Sequence, residues 1–466
     1  MRAHEAGWAH AEGPKGPSWL RLPADTNELV SHLWSTTATK VDGVLEVGGV
    51  ALPDLVAEHG SPAYVLDEAD FRARAGAFRD AFAAYDVFYA GKAFLSTTTA
   101  RWVAEEGLCL DVCSGGELTV AERAGFDMSR VGFHGNNKTV AELRRAVRLG
   151  VGRVIVDSFS EIERLAAVAT ELGATARVMI RVTAGVEAHT HEYIATAHED
   201  QKFGFSITSG DAFAAVRQVQ DAPGLELLGL HSHIGSQIFD SSGFEVAARR
   251  VLALQARVSE ELGVTLPEMD LGGGFGIAYT TQDDPSDPAQ LATEMTKIVE
   301  HECRALGIPE PHLSIEPGRA IVGPAMCTVY EVGTVKPVAL DGGAVRTYVS
   351  VDGGMSDNIR TALYDADYSC TLASRSSEAP PVLARVVGKH CEAGDIVVKD
   401  EFLPADVAPG DLLAVPGTGA YCRSMASNYN HALRPPVIAV RDGATRVVVR
   451  RETEDDLLAT DVGDEQ

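Results

Sequence analysis

The sequence predicts an α/β protein built from a (β/α)8 barrel followed by a mostly β domain, and three observations support this fold class. Short apolar runs recur eight times between residues 86 and 316, and most intervening segments are long enough for a helix. After residue 319 the runs are short and β-rich, with Gly, Pro and Asp turns. A glycine cluster follows the seventh run, whereas the alternative, a doubly wound open sheet, would have it in the first unit. The eight predicted barrel strands are Asp86–Tyr89, Leu108–Val112, Val131–His134, Arg153–Asp157, Arg177–Val182, Leu227–His233, Glu268–Leu271 and His312–Glu316.

The segments between these runs have helical spacing. In residues 68–84, for example, Phe71, Ala75, Phe78 and Phe82 fall on one face of a helix. The other predicted helices include Val140–Leu149, Ser160–Leu172, Gly210–Gln220, Phe244–Leu262 and Gln290–Leu306. The strands predicted for the second domain are Val329–Val335, Thr347–Val351, Pro381–Val387, Asp395–Val398, Asp411–Val415, Pro436–Ala439 and Thr445–Arg450.

The chain divides into four predicted segments. The first is rich in Ala, Gly, Pro and His without clear periodicity, so we expect it to be mobile. The run Val44–Leu52 alternates like a strand and is assigned to the β-rich domain. The segments are an N-terminal extension (1–43), the barrel (60–322), the β-rich domain (44–59 plus 323–452) and an acidic tail (453–466) that we expect to fray.

Composition excludes several classes of function. The 466 residues are 45% hydrophobic, and 66 acidic against 40 basic residues give a net charge of −26. Such a charge opposes binding to nucleic acid or to anionic membranes. Seven scattered cysteines, without CxxC spacing, fit neither a disulfide framework nor a zinc site. With no run of about 20 apolar residues and no signal-like N-terminus, the sequence predicts a cytoplasmic protein.

Lys92 lies just past the end of the first predicted strand, between the small residues Gly91 and Ala93. We expect its ammonium group to be partly desolvated there, which would lower its pKa and favour the nucleophilic amine. A lysine of this kind can form a Schiff base. Alone, the position is more typical of a loop lysine that extends to water.

The other strand ends also carry polar or glycine-rich sequences, and barrel enzymes collect their chemistry at that face. Each has an ordinary structural alternative: a tight turn for three glycines, core packing for histidines, or a salt bridge near Arg319. The histidine-rich stretch Glu187–His191 could suggest a metal, but it lacks a third ligand at diagnostic spacing. The strand-end sequences are Asp111 with Cys113–Glu117, His134–Lys138, Asp157–Ser158, Glu187–Glu192 with Lys202–Phe205, His231–Gln237, Gly272–Gly276 and Glu316–Arg319.

Together these residues suit one ligand. The amides of Gly273 and Gly274 can approach a phosphate, and Ser236 and Arg319 can add further donors. His233 can lie against an aromatic ring. Glu316 can keep a pyridine nitrogen protonated. With a nucleophilic Lys92, this set predicts a site for pyridoxal 5′-phosphate (PLP).

Five motifs at the ends of the predicted barrel strands resemble those of the barrel-type PLP-dependent decarboxylases, the group that includes ornithine and arginine decarboxylases. Four later motifs narrow the resemblance to the diaminopimelate decarboxylases, and it covers residues from about 45 to 450. Thr361, Ala184 and the pair Cys422-Arg423 depart from the family pattern without removing a proposed chemical group. The motifs are YAGKAF (89–94), HGNNK (134–138), HIGSQ (233–237), GGGFG (272–276) and EPGR (316–319), then DGGMSDNIR (352–360) with Tyr364, CEAGD (391–395), GAY (419–421) and SNYN (427–430).

The resemblance implies a role for each residue and an activity, the conversion of meso-2,6-diaminopimelate to L-lysine and CO2. Cys391 would return a proton after CO2 leaves, and it would come with Glu392 from the partner subunit of a homodimer. For the cofactor, Lys92 would hold PLP covalently, His233 would stack on its ring, Glu316 would contact the ring nitrogen, and Ser236, Gly273, Gly274, Arg319 and Tyr421 would surround the phosphate. The substrate would be held by Arg319, Arg360, Tyr364, Glu392 and Tyr421.

Several alternatives stay open at this point. The substrate could be arginine, ornithine or lysine, although these lack the distal carboxylate that Arg360 would bind. The protein could bind PLP without catalysis, or it could be a racemase, which Glu316 disfavours. Arg360 could instead form an ion pair with Asp357 or Asp365, and Cys391 could be a buried apolar residue.

Overall fold

The computed structural model describes residues 16–185, 202–340 and 345–463 of the chain. The histidine-rich stretch Glu187–His191, considered above as a metal site, lies outside the described residues. The chain separates into two compact units, which we call the barrel unit and the β-rich unit. The barrel unit comprises residues 72–276 and 285–321; the β-rich unit comprises the described residues up to 71, 277–284 and those from 322 onward.

The barrel unit contains a closed parallel barrel of eight strands, as predicted. Neighbours in sequence pair in parallel around the barrel, and pairing of Ser314 with Asp86 joins the eighth strand to the first. Most strand residues are buried because side chains fill the interior and helices cover the outside. The strands are Asp86–Ala90, Cys109–Val112, Val131–Phe133, Arg153–Val156, Ala176–Thr183, Leu225–His231, Glu268–Asp270 and His312–Ile315, and a short strand, Phe205–Ser206, pairs with the fifth.

Hydroxyl caps begin several of the barrel helices in the loops that follow the strands. Ser96, Ser114, Thr139 and Ser158 each accept a hydrogen bond from the backbone N–H three residues further on. Glycines in the left-handed conformation end five of the helices. The helices are Glu68–Ala81, Thr97–Glu105, Gly115–Ala124, Val140–Leu149, Phe159–Leu172, Asp211–Asp221, Ser242–Leu262, Pro288–Leu306 and the short Arg319–Val322, with a 3-10 turn at Met128–Arg130.

Charged groups occupy part of the barrel interior. Arg153 on the fourth strand forms a buried ion pair with Asp270 on the seventh. Ser314 on the eighth strand accepts a hydrogen bond from Arg153 at 2.9 Å and donates one to Asp270 at 2.7 Å. The guanidinium also lies 3.7 Å from the ring centroid of Phe88. These contacts compensate charges that would be costly to bury singly.

The β-rich unit is organised around one long strand, Met326–Ala339. This strand pairs with Ala63–Asp67, Val345–Val351 and Leu412–Val415, all in antiparallel register. The remaining strands are Thr39–Val41, Val44–Val47, Val50–Ala51, Thr371–Leu372, Pro381–Val387, Ile396–Pro404, Val437–Arg441 and Ala444–Val449; the helices are Leu52–His59, Arg360–Tyr364 and Glu454–Leu458, with 3-10 turns at Ser31–Leu33, Arg423–Met425 and Tyr429–His431.

The first described residues differ from the predicted mobile extension. Leu33 and Trp34 are buried in the apolar core of the β-rich unit. The single strand predicted over Val44–Leu52 is wrong, because Gly48 and Gly49 take positive φ values of 58° and 77° and turn the chain back. The acidic tail likewise begins with a short helix, Glu454–Leu458, whose start Thr453 caps. None of the described helices is both long and apolar enough to cross a membrane.

Candidate active site

Lys92 lies in a tight turn that continues from the first barrel strand. The Gly91 amide donates to the carbonyl of Asp111 at 2.9 Å, and a Cβ on Gly91 would come within 2.7 Å of that oxygen. The hydroxyl of Tyr89 donates to the carbonyl of Phe94 at 2.7 Å, which closes the turn around Lys92. The Lys92 side chain is exposed, so our expectation of its desolvation is wrong for the single chain.

His233 presents a neutral ring near this lysine. Burial lowers the pKa of His233 well below its usual value, and the positive charge of Lys92 lowers it further. The Gly273 amide donates to Nδ1 of His233 at 3.3 Å, so the ring proton resides on Nε2. The ring is therefore held in one orientation and carries no charge at neutral pH, which suits contact with the face of a protonated pyridine ring.

The glycine-rich loop after the seventh strand packs backbone against backbone. A Cβ on Gly273 would lie 2.3 Å from the Glu316 carbonyl oxygen, and one on Gly274 would lie 2.4 Å from that of Gly235. Gly274 also has a φ of 108°, which other residues rarely adopt. The absence of side chains thus brings the glycine-rich loop against the loops of Gly235 and Glu316. Ser236, next to Gly235, is half-buried.

Glu316 is buried between two histidines. Its Oε1 lies 2.8 Å from Nε2 of His231 and 3.3 Å from Nε2 of His134. Burial alone would raise the pKa of Glu316, but the two histidines hold it well below its usual range. Burial lowers the pKa of His134 to about 3, so its imidazole is neutral. Glu316 is therefore kept in its charged, carboxylate form.

Asp111 extends this cluster. Its Oδ1 lies 3.1 Å from Nε2 of His134, and burial, together with the charge of Glu316, raises the pKa of Asp111 well above its usual value. The sequence reasoning placed His134, His231 and Asp111 at strand ends but gave them no role. Their shared position at the carboxyl ends of strands two, three and six is the signal that could have identified the cluster.

Arg319 is buried at the end of the loop that follows the eighth strand.

Arg360 is buried in an aromatic environment within the β-rich unit. Its guanidinium carbon lies 4.6 Å from the ring centroid of Tyr279 and 5.6 Å from that of Tyr368, whose hydroxyl accepts a hydrogen bond at 2.5 Å. Its Nε has no hydrogen-bond partner among the residues that the structure describes. The two aspartates considered as alternative partners of Arg360 make other contacts. Asp357 accepts a hydrogen bond from the Tyr330 hydroxyl, and Asp365 forms an ion pair with Lys399.

The remaining predicted residues also lie in the β-rich unit. Cys391 and Glu392 are both exposed, so Cys391 is not the buried apolar residue considered as an alternative. Tyr364 is half-buried at the end of helix Arg360–Tyr364. Tyr421 is half-buried and has a left-handed φ of 67°, a strained conformation for a tyrosine.

The barrel residues fit PLP. A buried carboxylate held in its charged form suits a protonated ring nitrogen, and a neutral imidazole suits the face of an aromatic ring. Gly273 and Gly274 have no side chains that could stand between the loop backbone and a phosphate, although the Gly273 amide itself donates to His233. An exposed amine at Lys92 completes a set that includes a covalent attachment point.

The fold and these residues define the class of PLP-dependent decarboxylases with a barrel domain. Residues 68–323 match the family described as pyridoxal-dependent decarboxylase, pyridoxal binding domain. The diaminopimelate decarboxylase of Mycobacterium tuberculosis is 55% identical over 93% of this chain and 98% of its own length. That of Bacillus subtilis is 44% identical over 92% and 98%. The crystal structure of the M. jannaschii diaminopimelate decarboxylase with L-lysine is 30% identical, with a TM-score of 0.86 over 92% of this chain and 99% of that one.

The chain belongs to the diaminopimelate decarboxylase family, and its cofactor is PLP. This confirms the resemblance and the fold class that the motifs indicated.

Proposed function

We propose that the protein removes the carboxylate from the D-configured centre of meso-2,6-diaminopimelate and releases L-lysine and CO2. The observation that carries this substrate is Arg360. Its guanidinium is fixed against two tyrosine rings, and its Nε is buried without a partner among the described residues. A buried cationic donor of this kind suits a carboxylate, and diaminopimelate has one at its far end while ornithine and lysine do not.

The reaction needs a group that accepts the electron pair left behind by CO2, and PLP supplies that electron sink. Glu316 would keep the ring nitrogen protonated, because His134 and His231 already hold this carboxylate in its charged form. His233 would support the ring face as a neutral imidazole. Lys92 would attach the cofactor through its amine, which is exposed on the described chain.

Cys391 would return a proton to the carbon that loses CO2. The thiol is exposed, which suits a group that must exchange its proton with water between turnovers. Glu392, which is also exposed, would receive the distal ammonium group, next to the carboxylate site that Arg360 would provide. Tyr364, Arg319 and Tyr421 would complete the binding of substrate and of phosphate.

A substrate panel tests the activity. Release of CO2 from meso-diaminopimelate should exceed release from ornithine, lysine and arginine by at least about a thousandfold, because a site built for an ionic partner discriminates strongly against analogues without it. Arg360→Lys should lower kcat/KM for diaminopimelate by about a hundredfold, since an ammonium cannot form the bidentate contact. Preference for another amino acid, or an unchanged Arg360→Lys variant, would contradict the proposed substrate. PLP binding with no release of CO2 would instead indicate a non-catalytic protein.

We further propose a homodimer in which Cys391 and Glu392 complete the partner's site. Lys92→Ala and Cys391→Ala would each be nearly inactive, yet a refolded equimolar mixture would regain about one quarter of wild-type turnover. Random assortment makes half of the dimers hybrids, and each hybrid has one intact site of two. If each site were built from one chain, the mixture would stay as inactive as its components.

We also propose a cytoplasmic location. All seven cysteines are free thiols in the structure, which suits a reducing compartment. Fractionation of cells that express the full chain would test this, and recovery with membranes or secreted protein would contradict it.

A further inference from the structure

The segment Ser427–Asn430, here the Asn430 turn, lies against the loop that carries Cys391. That loop, residues 388–395, is the Cys391 loop. The proposed chemistry assigns no role to the Asn430 turn, although its sequence is one of the motifs singled out above. Both segments belong to the β-rich unit.

The Asn430 side chain contacts two consecutive residues of the Cys391 loop. Its Oδ1 accepts the backbone N–H of Cys391 at 3.2 Å and lies 3.3 Å from Nδ1 of His390. A backbone N–H can only donate, so the oxygen of the amide must face the loop. The His390 ring proton then resides on Nδ1. Asn430 has a φ of 52°, a left-handed conformation that Asn tolerates better than most residues.

His390 connects this contact to a second loop. Its Nε2 lies 2.8 Å from Oγ of Ser356, and with the proton on Nδ1 it accepts from that hydroxyl. The backbone N–H of Ser427 donates to the Ser356 carbonyl at 2.9 Å. The Tyr429 ring lies 5.4 Å from the ring of His390, centroid to centroid. The Asn430 turn therefore contacts the Cys391 loop and the loop of Ser356 at the same time.

Asp395 fixes the far end of the Cys391 loop. Its carboxylate accepts the backbone N–H groups of His390 at 2.8 Å and Met355 at 2.6 Å. A Cβ on Gly354 or Gly388 would come within 2.5 or 2.2 Å of a carboxylate oxygen, so glycine allows this close approach. Asp395 thus anchors Gly388 through its backbone carbonyl and His390 through its carboxylate, whereas Asn430 supplies the side-chain contact to the Cys391 amide.

We propose that Asn430 is a positioning residue that fixes the Cys391 loop and thereby the direction of the Cys391 thiol. This inference rests on the proposed role of Cys391 as proton donor. The geometry separates two functions along the loop: Asp395 holds its base, and Asn430 holds the residue that bears the thiol. Asn428 offers a matched control, because its Nδ2 donates to Ala432 and Glu452 rather than to the Cys391 loop.

Hydrogen exchange of the holoenzyme measures the contact directly. Asn430→Ala should increase the exchange rate of a peptide covering residues 388–395 by at least about tenfold, because the Cys391 amide loses its acceptor. Asn430→Asp retains an acceptor oxygen and should restore protection to within about threefold of wild type. Asn428→Ala should leave this peptide unchanged. Equal exchange in wild type and Asn430→Ala, or an equal increase in Asn428→Ala, would overturn the proposal.

Turnover separates this inference from the proposed function. Asn430→Ala should lower kcat about tenfold or more, with partial recovery in Asn430→Asp, while PLP absorbance stays that of wild type. If Cys391→Ala abolishes turnover and Asn430→Ala does not alter it, the positioning role is refuted and the role of Cys391 stands. If Cys391→Ala is fully active while Asn430→Ala still loosens the loop, the proposed proton donor is refuted and the structural contact stands.

Discussion

His134 makes the stability of the barrel unit depend on pH, and His134→Gln should reduce that dependence. Burial lowers the pKa of His134 from 6.5 to about 3 in the folded protein. Below pH 6.5 the unfolded chain therefore binds a proton at His134 that the folded chain does not bind. Stability is fully present above pH 6.5 and is lost as the pH falls towards 3. Gln can keep a polar group near Asp111 and Glu316 without titrating.

The size of the effect follows from the two pKa values. Between pH 7.5 and pH 5 the folded residue stays neutral while the unfolded one becomes almost fully protonated. The free energy of unfolding should fall by about 2 kcal/mol from this residue alone, and by about 5 kcal/mol over the whole range. Asp111 and Glu316 remain in both proteins, but His134 also helps to lower the pKa of Glu316. A lower limit of pH 5 stays above the ordinary glutamate pKa of 4.5, which limits the change in that contribution.

Urea unfolding at pH 7.5 and pH 5, for wild type and His134→Gln, measures this difference. The variant should lose about 2 kcal/mol less than wild type between the two pH values. The same substitution at exposed His301 measures the effect of the chemical change itself. If wild type and His134→Gln lose equal stability over this interval, His134 is not a neutral imidazole beside Glu316 in the folded protein.

Three further substitutions test separate parts of the structure. Lys92→Ala should remove the visible absorbance of covalently held PLP and abolish turnover. It should change the free energy of unfolding by less than about 0.5 kcal/mol, because the side chain is exposed. A large loss of stability would contradict this. Glu316→Gln should lower kcat at least about a hundredfold in steady-state assays, since a neutral amide cannot hold the ring-nitrogen proton; near-normal turnover would exclude the proposed contact. Thr139→Ala removes a capping box and should cost about 1 kcal/mol in urea unfolding without altering kcat; reduced turnover would show that this helix start does more than stabilise the barrel.

The barrel was predictable because its strands are short, apolar and separated by helical segments. Buried parallel strands read as continuous apolar runs, and each of the eight predicted runs overlaps an observed strand. Hydroxyl and glycine residues mark many helix ends, so Thr139 and Gly150 bound a helix whose range, Val140–Leu149, was predicted to the residue. In the barrel unit, the local signals for strands and helix ends therefore agree with the overall fold.

Predictions failed where contacts distant in sequence decide the structure. Leu33 and Trp34 lie in a stretch without periodicity, yet they are buried against residues of the β-rich core. The double glycine at 48–49 divides an alternating run that resembles one strand. Lys92 was expected to be partly desolvated, but the exposure of a side chain depends on neighbours that local sequence does not specify.

The positions of the site residues were largely predictable from the sequence, but the contacts among them were not. Glu316 and His233 were identified from their strand ends, and the structure gives Glu316 a charged form and His233 a neutral one. The contacts of Glu316 with His134 and His231 were not foreseen, because the three residues come from three separate strand ends. Similarly, the tyrosines around Arg360 lie on different segments, so the sequence indicated the cation but not its surroundings.

The ion pair of Arg153 and Asp270 has a consequence for how the barrel forms. The two residues are 117 positions apart, on the fourth and seventh strands, and Ser314 on the eighth contacts both. During synthesis Arg153 therefore emerges long before its partner, and an N-terminal half-barrel would have to leave this cation in water. The charge cannot be buried favourably until the last strands have joined. The pair thus favours closure of the whole barrel over burial of Arg153 in an N-terminal half-barrel.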